Sequence, residues 1–535
     1  MTEKLRRAEL GESRERARMR RTNRRLAIFK TIVLLLLMAT TVYGMLRSGL
    51  YRDELWLPVA AGILGLLLVT LFVRGYYLDV PRIGWVLVIL LAVLVGIKGL
   101  SMIWTISEAQ TVREFLRSSM YLATFIMVLG ALSSNRQIPP LMDFAILTVA
   151  AVSGYGLLQK INPVGYPVTS LDAVRVDSTL EYANTLAVVL GMGVTLTLAR
   201  LTDSKNAVVR GIYAALLLAF LTILYLSFSR GGIVSLVVGL AVLVILTSSR
   251  LQMVTNLILV SIPGAWLLWR IQSLEGLLRA NVPEQQKLAD GATFQGDLIV
   301  TLAAAFALQF GYALLVNRYE LAPTARRAVG GLFLVGVIAL FCVGAFAVIQ
   351  QYGGAQQAYD SLLSNPTDTE NPTQRLASLS IGFRSEYWQV AWQEWKQHPF
   401  LGTGAGTFQF TWLEDRSGFE GVKQVHNVYL EQGTETGVFA FLALVGFAGL
   451  LAGYTMRAAW LSSGGQRIVL SGLAAAEVTY LVSSIAEWHW YLPSSTLLFF
   501  IVAAISVKAA REYKNKTNAH EVADTAGVGS SGFSV

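Results

Sequence analysis

The sequence predicts an all-α protein that crosses a membrane many times. Only 14% of its 535 residues are charged, whereas a soluble protein carries about 25%. A spanning helix needs about 20 mostly apolar residues, and we count about fourteen runs of that kind. Because such runs suit helices rather than barrel strands, the expected fold is a polytopic integral membrane protein of about 14 transmembrane helices. One large extracytoplasmic loop with amphipathic helices interrupts them.

The apolar runs divide the chain into spans and connecting segments. Their centres lie near residues 36, 64, 94, 126, 150, 191, 218, 240, 260, 307, 339, 446, 476 and 501. The predicted organisation is a basic cytoplasmic arm (1–25), transmembrane helices 1–11 (26–350), an extracytoplasmic, periplasmic catalytic loop (351–426), transmembrane helices 12–14 (427–512) and a disordered cytoplasmic tail (513–535). We expect residues 1–24 to be disordered as well, and residues 351–378, which are rich in Gln, Asn, Ser, Thr and Pro, to be irregular.

Basic residues indicate the orientation. Arg20, Arg21, Arg24, Arg25 and Lys30 precede the first span. Nucleic-acid binding is one interpretation of this arm, but the positive-inside rule favours a cytoplasmic flank. With the N-terminus inside, alternation places most of the short basic loops and the C-terminal tail in the cytoplasm. The loops predicted inside are near 74–83, 133–140, 200–210, 248–252, 317–327 and 456–467.

The opposite face then collects the unusual polar features, so any chemistry is expected there. They are the loop 160–181, the junction 229–232, the segment 270–296, the loop 351–426 and the turn 487–490. ATP and nucleotide sugars are scarce outside the cytoplasm, so a donor there must carry its own activation, as a lipid-linked pyrophosphate does. The single cysteine, Cys342, can build neither a disulfide framework nor a thiolate metal site.

The long loop contains a tryptophan-rich helical pattern. From Ile381 to His398, Trp388, Ala391, Trp392 and Trp395 recur at helical spacing and predict one apolar stripe. Pro399 is expected to end the helix. A helix of this kind beside a membrane normally lies in the interface. A surface on which sugars stack is the alternative interpretation.

Two further features of the loop are a glycine-rich segment and a histidine. Gly402, Gly404 and Gly406 permit positive φ and predict a tight turn, with amides exposed near an anionic ligand as the second possibility. His426 and Asn427 open an apolar helix, for which Asn427 is a suitable N-cap. A helix N-terminus favours a neutral imidazole, which is the form that accepts a proton from a hydroxyl. The alternative is a structural or inert histidine.

Arginines supply the positive charge on the same face. Arg230 follows a span and precedes Gly231 and Gly232, which would let a ligand approach. Such an arginine often extends to lipid headgroups, but its planar fork also suits pyrophosphate. Arg175 and Arg384 add two more cations. No P-loop, His-Glu-x-x-His or Asp-x-Asp pattern is present, so a metal-free mechanism without a cofactor is expected.

In combination, these motifs resemble the O-antigen ligase and O-antigen polymerase superfamily. The segments that carry the resemblance are RVDSTLEYAN (175–184), SFSRGG (227–232), Arg384 with Trp388, HPFLGTGAGTF (398–408), HNVYLE (426–431) and ETG (435–437). The resemblance covers roughly 160–455, and it is the ordered combination rather than any single motif that is specific.

The resemblance implies a glycosyltransferase on the outer face of the bacterial cytoplasmic (inner) membrane. Its donor would be an undecaprenyl-pyrophosphate-linked glycan. Its acceptor would be a hydroxyl of lipid A core in ligases, of another lipid-linked repeat in polymerases, or of a protein in O-oligosaccharyltransferases. By the same resemblance, Arg230 and Arg384 would bind pyrophosphate and His426 would be the base. The remaining candidates for substrate binding are Arg175, Asn184, Trp388, Asn427 and Glu431.

Two departures from the ligase pattern leave the acceptor open. The chain has about fourteen predicted spans rather than the usual twelve, and it has a long basic N-terminal arm. The partners expected are the lipid-linked donor, the acceptor and membrane lipids, without nucleic acid. Two other classes remain as alternatives: a small-solute transporter, which would need a site at mid-depth, and a scaffold within a polysaccharide assembly complex.

Overall fold

The computed structural model describes residues 2–169, 174–316, 349–363, 382–416 and 421–528, together with isolated positions between 331 and 346. These residues contain helices and no strands, so the predicted all-α class is confirmed. The helices are α1 (Thr2–Met45), α2 (Asp53–Phe72), α3 (Arg82–Leu100), α4 (Glu108–Ala131), α5 (Ile138–Ile161), α6 (Ala183–Asp203), α7 (Ala207–Leu226), α8 (Arg230–Leu246), α9 (Arg250–Gln272), α10 (Glu275–Leu278), α11 (Glu284–Val316), α12 (Ala355–Leu363), α13 (Arg384–Gln397), α14 (Phe408–Asp415), α15 (Val428–Leu461), α16 (Gly464–Ser483) and α17 (Pro493–Val528).

Ten of the described helices are long and apolar enough to cross a membrane. Every predicted span centre falls within a helix except 339, which lies outside the described residues. Three of the matching helices are not among the ten. Helix α8 is shorter, and α4 and α16 carry buried charges, among them Glu114, Arg117 and Glu477. The protein is therefore a multi-pass membrane protein in which three helices depart from a simple apolar span.

The connecting segments gather at two ends of the bundle. At one end, Lys30 Nζ lies 3.2 Å from Asp79 Oδ2, and the C-terminal Arg511 donates to the Asp79 carbonyl. At the other end, the Ile106 amide donates to Thr403 O at 3.2 Å and the Val428 amide donates to Ser484 O at 3.0 Å. Segments predicted to share a side of the membrane thus contact one another. Which end faces the cytoplasm remains a prediction.

Helices α6, α8 and α16 pack closely because glycines line their contacts. A Cβ added at Gly191 would lie 2.9 Å from the Thr479 methyl group. One added at Gly239 would collide with Thr479, and one at Gly472 would collide with Ala199. Small residues allow this approach between helices in a membrane. The packing brings together the first residues of α6 and α8 and the turn that follows α16.

The structure corrects three predictions of irregular backbone. Helix α1 begins at Thr2 and α17 continues to Val528, so the structure has helical backbone in segments predicted to be disordered. In the predicted irregular segment 351–378, residues Ala355–Leu363 form α12. These stretches contain many Ala, Glu, Arg, Lys and Gln residues, whose helix propensity is high enough to continue or start a helix without a continuous apolar stripe.

Candidate active site

Arg384 is fixed at the first position of α13 by two acceptors from the turn after α16. Its Nε donates to the Ala486 carbonyl at 2.6 Å, and its Nη2 donates to Glu487 Oε1. Burial would lower the pKa of Arg384, but the Glu487 carboxylate raises it above the ordinary value. The guanidinium is therefore a permanent cation held in one orientation.

Glu487 is the carboxylate at the centre of this network, and only 3% of its side chain is exposed. Burial opposes its ionisation, but the adjacent Arg384 holds the pKa of Glu487 below its ordinary value. Its second oxygen, Oε2, accepts the hydroxyl of Tyr182 at 2.9 Å. Burial and Glu487 raise the pKa of Tyr182, so the phenol stays protonated and donates.

The network continues from Tyr182 to a second arginine. Asn184 Nδ2 donates to the Tyr182 hydroxyl at 3.0 Å, and Arg175 donates through Nη2 to Asn184 Oδ1. Arg175 Nε also donates to the Ser227 carbonyl at 2.8 Å. Three of the candidate residues, Arg175, Asn184 and Arg384, thus belong to one network, which Tyr182 and Glu487 join.

Arg230 stands beside this network as the first residue of α8. The Ser229 hydroxyl caps the helix by accepting the Gly232 amide at 3.2 Å. The next residue, Gly231, lies close to the carboxylate: a Cβ added there would be 3.6 Å from Glu487 Oε1. Arg230 is half-buried. The two arginines expected to bind pyrophosphate are therefore positioned by elements that meet at Glu487.

His426 lies between two aromatic rings at the same place. Its ring centroid is 5.4 Å from that of Tyr387 and 6.2 Å from that of Trp488. Its Nδ1 lies 3.0 Å from the Gln424 carbonyl. Since a carbonyl only accepts, Nδ1 carries the proton and Nε2 holds the lone pair. Burial and then the Arg384 charge lower the pKa of His426 to about 4. The neutral imidazole was expected from a helix N-terminus, but these two causes dominate.

The residues that follow His426 build the local fold. Asn427 caps α15: its side chain accepts the amides of Tyr429 at 3.2 Å and Leu430 at 3.1 Å. Glu431 lies below the surface, where it accepts the Val425 amide at 2.8 Å and the Tyr491 hydroxyl. Both residues were candidates for substrate binding. In the structure both hold the segment that carries His426, Asn427 as the cap of α15 and Glu431 through the Val425 amide.

The side chains of the predicted tryptophan stripe differ in their exposure. The buried face of α13 consists of Tyr387, Val390, Ala391 and Glu394, whereas 51% of Trp392 is exposed. Trp388 is half-buried at the edge of a small core formed by Tyr387, Val390, Ala391, Phe408, Trp412 and Val425. Its indole Nε1 is buried and has no hydrogen-bond partner among the described residues. The interfacial position of this helix therefore stays a prediction.

The glycine-rich turn adopts the backbone predicted for it. Gly402, Gly404 and Gly406 have φ of 64°, 110° and 80°. Its amides bind a side chain of the protein rather than leaving room for a ligand: Glu435 accepts from Gly406 N at 2.7 Å and Phe408 N at 3.1 Å. The turn is therefore a structural element that attaches the loop to α15.

Beside this turn lies a buried group of ionisable side chains that the sequence did not bring together. Lys98 Nζ is 3.8 Å from Glu114 Oε2, and Arg117 pairs with Glu114 Oε1. Glu435 and Glu431 approach from the other side through the turn and Tyr491. The available signal was the charge of α4, whose first three turns carry Glu114 and Arg117 ahead of its apolar half.

Among the described residues, no group of three or more His, Cys, Asp or Glu side chains could hold a metal ion. The site instead consists of arginines, one buried carboxylate and one neutral histidine at one end of a helical membrane bundle. This arrangement can bind an anion and accept a proton.

A known protein family matches part of this chain. Residues 296–445 match the model of a family described as O-antigen ligase. The match confirms the resemblance to the O-antigen ligase and polymerase superfamily over that segment, which includes Arg384 and His426. It supports a ligase or polymerase type of function and lipid-linked glycan substrates in general. No curated protein sequence matches the chain.

Proposed function

We propose that the protein is a metal-independent, inverting glycosyltransferase of the O-antigen ligase type. It transfers a glycan from an undecaprenyl-pyrophosphate donor to an acceptor hydroxyl at the outer face of the bacterial cytoplasmic membrane. The observation that carries the proposal is the network in which Glu487 orients Arg384 beside the neutral His426. The network lies at the end of the bundle that the basic loops predict to be extracytoplasmic.

Arg384 and Arg230 act on the donor. Their positive charges neutralise the pyrophosphate and stabilise the charge that grows on it as the bond between C1 and the phosphate oxygen breaks. The leaving pyrophosphate keeps the electron pair of that bond. Fixed charges of this kind need no rearrangement during the reaction, and loss of one such group typically costs about a hundredfold or more in rate.

His426 acts on the acceptor. Its Nε2 accepts the proton of the attacking hydroxyl while the acceptor oxygen forms its bond to C1. General-base catalysis of this kind contributes about 10²–10⁴-fold. One direct displacement inverts the anomeric centre. The proton leaves His426 to solvent or to the released pyrophosphate, which restores the neutral imidazole.

The test is transfer from a lipid-linked donor by the full-length protein in vesicles. We expect His426→Ala and Arg230→Ala each to lower the rate by about a hundredfold or more. Arg279→Ala is a suitable control, because Arg279 is exposed and pairs only locally with Glu275 at 3.1 Å among the described residues. Activity that survives both site substitutions would end the assignment.

The metal-free mechanism has its own test. Transfer should continue at the same rate after treatment with EDTA and should not increase when Mg²⁺ is added. A requirement for Mg²⁺ that EDTA abolishes would contradict this part of the proposal and leave the assignment of the three side chains to be tested separately.

The acceptor can be identified from the surface polymer of a deletion strain. Intact polymer that remains on its lipid carrier indicates a ligase. Loss of long chains with a single repeat retained indicates a polymerase. Unchanged polymer together with loss of glycan from proteins indicates a protein O-oligosaccharyltransferase of the same superfamily.

A further inference from the structure

A polar cavity opens beside the Arg384–Glu487 network at the same end of the bundle. It has a volume of about 250 Å³. It lies between the segment that joins α1 to α2, the first turns of α4, the glycine-rich turn and the segment before His426. The lining residues that matter here are Arg52, Gln110, Arg117, Gln409, Lys423 and Gln424. None of the residues of the Arg384–Glu487–Tyr182–Asn184–Arg175 network lines it.

Arg117 forms a charged wall of this cavity. It is only 7% exposed, and its guanidinium carbon lies 4.8 Å from the Trp56 ring centroid and 5.0 Å from that of Tyr491. Glu114 pairs with one terminal nitrogen, but Nε is buried with no hydrogen-bond partner among the described residues. The pairing with Glu114 and the two rings hold the guanidinium in one orientation at the wall of the cavity.

The other lining groups define the kind of ligand. Arg113 and Asp53 pair with each other at 2.9 Å, and Gln409 donates to the Gly406 carbonyl at 3.2 Å. Gln110 and Gln424 each carry an amide that can both donate and accept, and Lys423 adds a cation that pairs with no carboxylate among the described residues. An apolar ligand would leave these last three groups unpaired. A sugar presents hydroxyl and ring oxygens that both donate and accept. Ligand sites for drug-sized molecules occupy about 300–1,000 Å³, so the smaller cavity suits a single sugar residue.

The cavity adjoins His426. Gln424, which lines it, supplies the carbonyl 3.0 Å from His426 Nδ1. Tyr51, also in the lining, has its ring 5.4 Å from that of Trp488, which in turn is 6.2 Å from the His426 ring. The Glu431 carboxyl group connects the cavity to this segment, because Oε1 accepts the Tyr491 hydroxyl and Oε2 accepts the Val425 amide. A molecule in the cavity would therefore reach the segment that carries the base without occupying the arginine network.

We infer that this cavity binds a sugar residue of a glycan acceptor and presents its hydroxyl towards His426. The inference rests on the proposed function and deepens it, because it makes the acceptor a glycan rather than a protein. The donor pyrophosphate then occupies Arg230 and Arg384, and the acceptor approaches along the Arg117 side. The two substrates meet at the imidazole.

The kinetic test changes two lining residues that make no side-chain hydrogen bond among the described residues, so the fold is not disturbed. Gln110→Leu and Lys423→Met should each raise KM for the acceptor about tenfold. KM for the donor and kcat should stay within about twofold of wild type, because each change removes an acceptor contact that is equally strong in the ground state and the transition state. Matched controls are Gln393→Leu and Lys396→Met, which change exposed residues of α13 outside the cavity. The acceptors to use are lipid A core and the lipid-linked repeat unit of the producing strain.

Chemical protection of Lys423 measures whether a glycan occupies the cavity, even when no transfer takes place. The delipidated surface glycan of the producing strain should protect Lys423, but not Lys396, from acylation by a water-soluble N-hydroxysuccinimide ester, as measured on the tryptic peptides. If the glycan protects Lys423 but the protein transfers nothing from the lipid-linked donor, the glycan site stands and the proposed function is rejected. The inference would be overturned if the glycan left Lys423 unprotected and the Gln110→Leu and Lys423→Met variants kept the wild-type KM for the acceptor. Protection by an acceptor peptide, and not by the glycan, would overturn it as well.

Discussion

His426 and Arg384 are electrostatically linked, and the donor alters that link. Burial, and then the charge of Arg384, lower the pKa of His426 to about 4. A bound pyrophosphate would place negative charge beside Arg384 and offset its effect on the imidazole. The pKa of His426 should then rise towards its ordinary value, and the histidine becomes a stronger base when both substrates are present.

The pH dependence of the rate tests this link. The ratio kcat/KM for the donor reports the free enzyme, and kcat reports the complex. On acidification, kcat/KM for the donor should stay level until the pH approaches about 4, whereas kcat should fall at a higher pH. His398→Ala removes an exposed histidine and should keep both profiles. A fall of kcat/KM near pH 6.5, the ordinary histidine value, would contradict this account.

The same shift has a consequence for stability. The folded pKa of His426 lies below the ordinary value of 6.5. Between these two pH values the unfolded chain binds a proton that the folded site does not bind, so this group destabilises the fold as the pH falls through that window.

Glu487 is a positioning residue, because it acts through Arg384 rather than on the substrate. Glu487→Gln keeps the shape of the side chain and removes the charge that orients the guanidinium. We expect kcat/KM to fall about 10–100-fold, since a charge-assisted hydrogen bond is replaced by a weaker neutral one. The acid limb of kcat should also move to lower pH, because Glu487 raises the pKa of His426. This second readout would not change if Glu487 only supported the fold.

The exposed Glu414 provides a matched control for this substitution, and Glu414→Gln should leave both the rate and its pH profile unchanged. Wild-type kinetics of Glu487→Gln would remove Glu487 from the mechanism.

At the residue scale, the sequence was most informative where a motif exists. Arg384 and His426 were found through the ordered pattern of the long loop, and the structure places them together. Glu487 was noticed only as part of an unusual turn, because a lone glutamate has no spacing that marks a partner. Its contact with Arg384 spans more than one hundred positions of the chain and arises only when α13 packs beside the end of α16.

At the scale of elements, the break in α15 is the feature that shapes the site. Gly437 has φ 78° and ψ −178°, a backbone that only glycine adopts readily. A Cβ at this position would clash with the Phe400 carbonyl oxygen. The break lets Glu435 reach the glycine-rich turn while the rest of α15 continues through the bundle, and the Val438 amide donates to the Pro399 carbonyl at 2.9 Å.

Gly437→Ala should therefore destabilise the protein by at least about 2 kcal/mol, from backbone strain and from the clash with Phe400. The midpoint of thermal unfolding in detergent should fall. Gly449→Ala is the matched control in the same helix, because a Cβ there meets no atom within 4 Å. Equal midpoints for the two variants would show that the break is not required.

The apolar runs predicted where the helices lie, but they did not predict where each helix begins and ends. The lengths of the runs fixed where a helix must lie, since only a helix satisfies its own backbone in a membrane. Polar flanks such as Thr2–Arg24 carry no apolar pattern, so their helical backbone could not be predicted. The same limit explains Ala355–Leu363, a polar helix within a segment rich in turn-forming residues.

At the scale of the whole molecule, the alternating loops define two faces. Cysteine labelling tests which face is outside. In a Cys342→Ser background, Lys396→Cys should react with a membrane-impermeant maleimide in intact spheroplasts, whereas Lys205→Cys should react only after permeabilisation. Both native lysines lie in exposed segments at opposite ends of the bundle. Labelling of Lys205→Cys from outside would reverse the orientation and place the site in the cytoplasm.

The most direct test of the central claim is a double-mutant cycle of transfer rate from the lipid-linked donor in vesicles. Four proteins are compared: wild type, Arg384→Ala, His426→Ala and the double variant. Groups that act on one transition state are strongly non-additive. We expect each single variant to lose about a hundredfold or more, and the double variant to be little slower than the worse single. Near-wild-type transfer by either single variant would contradict a shared site built from Arg384 and His426.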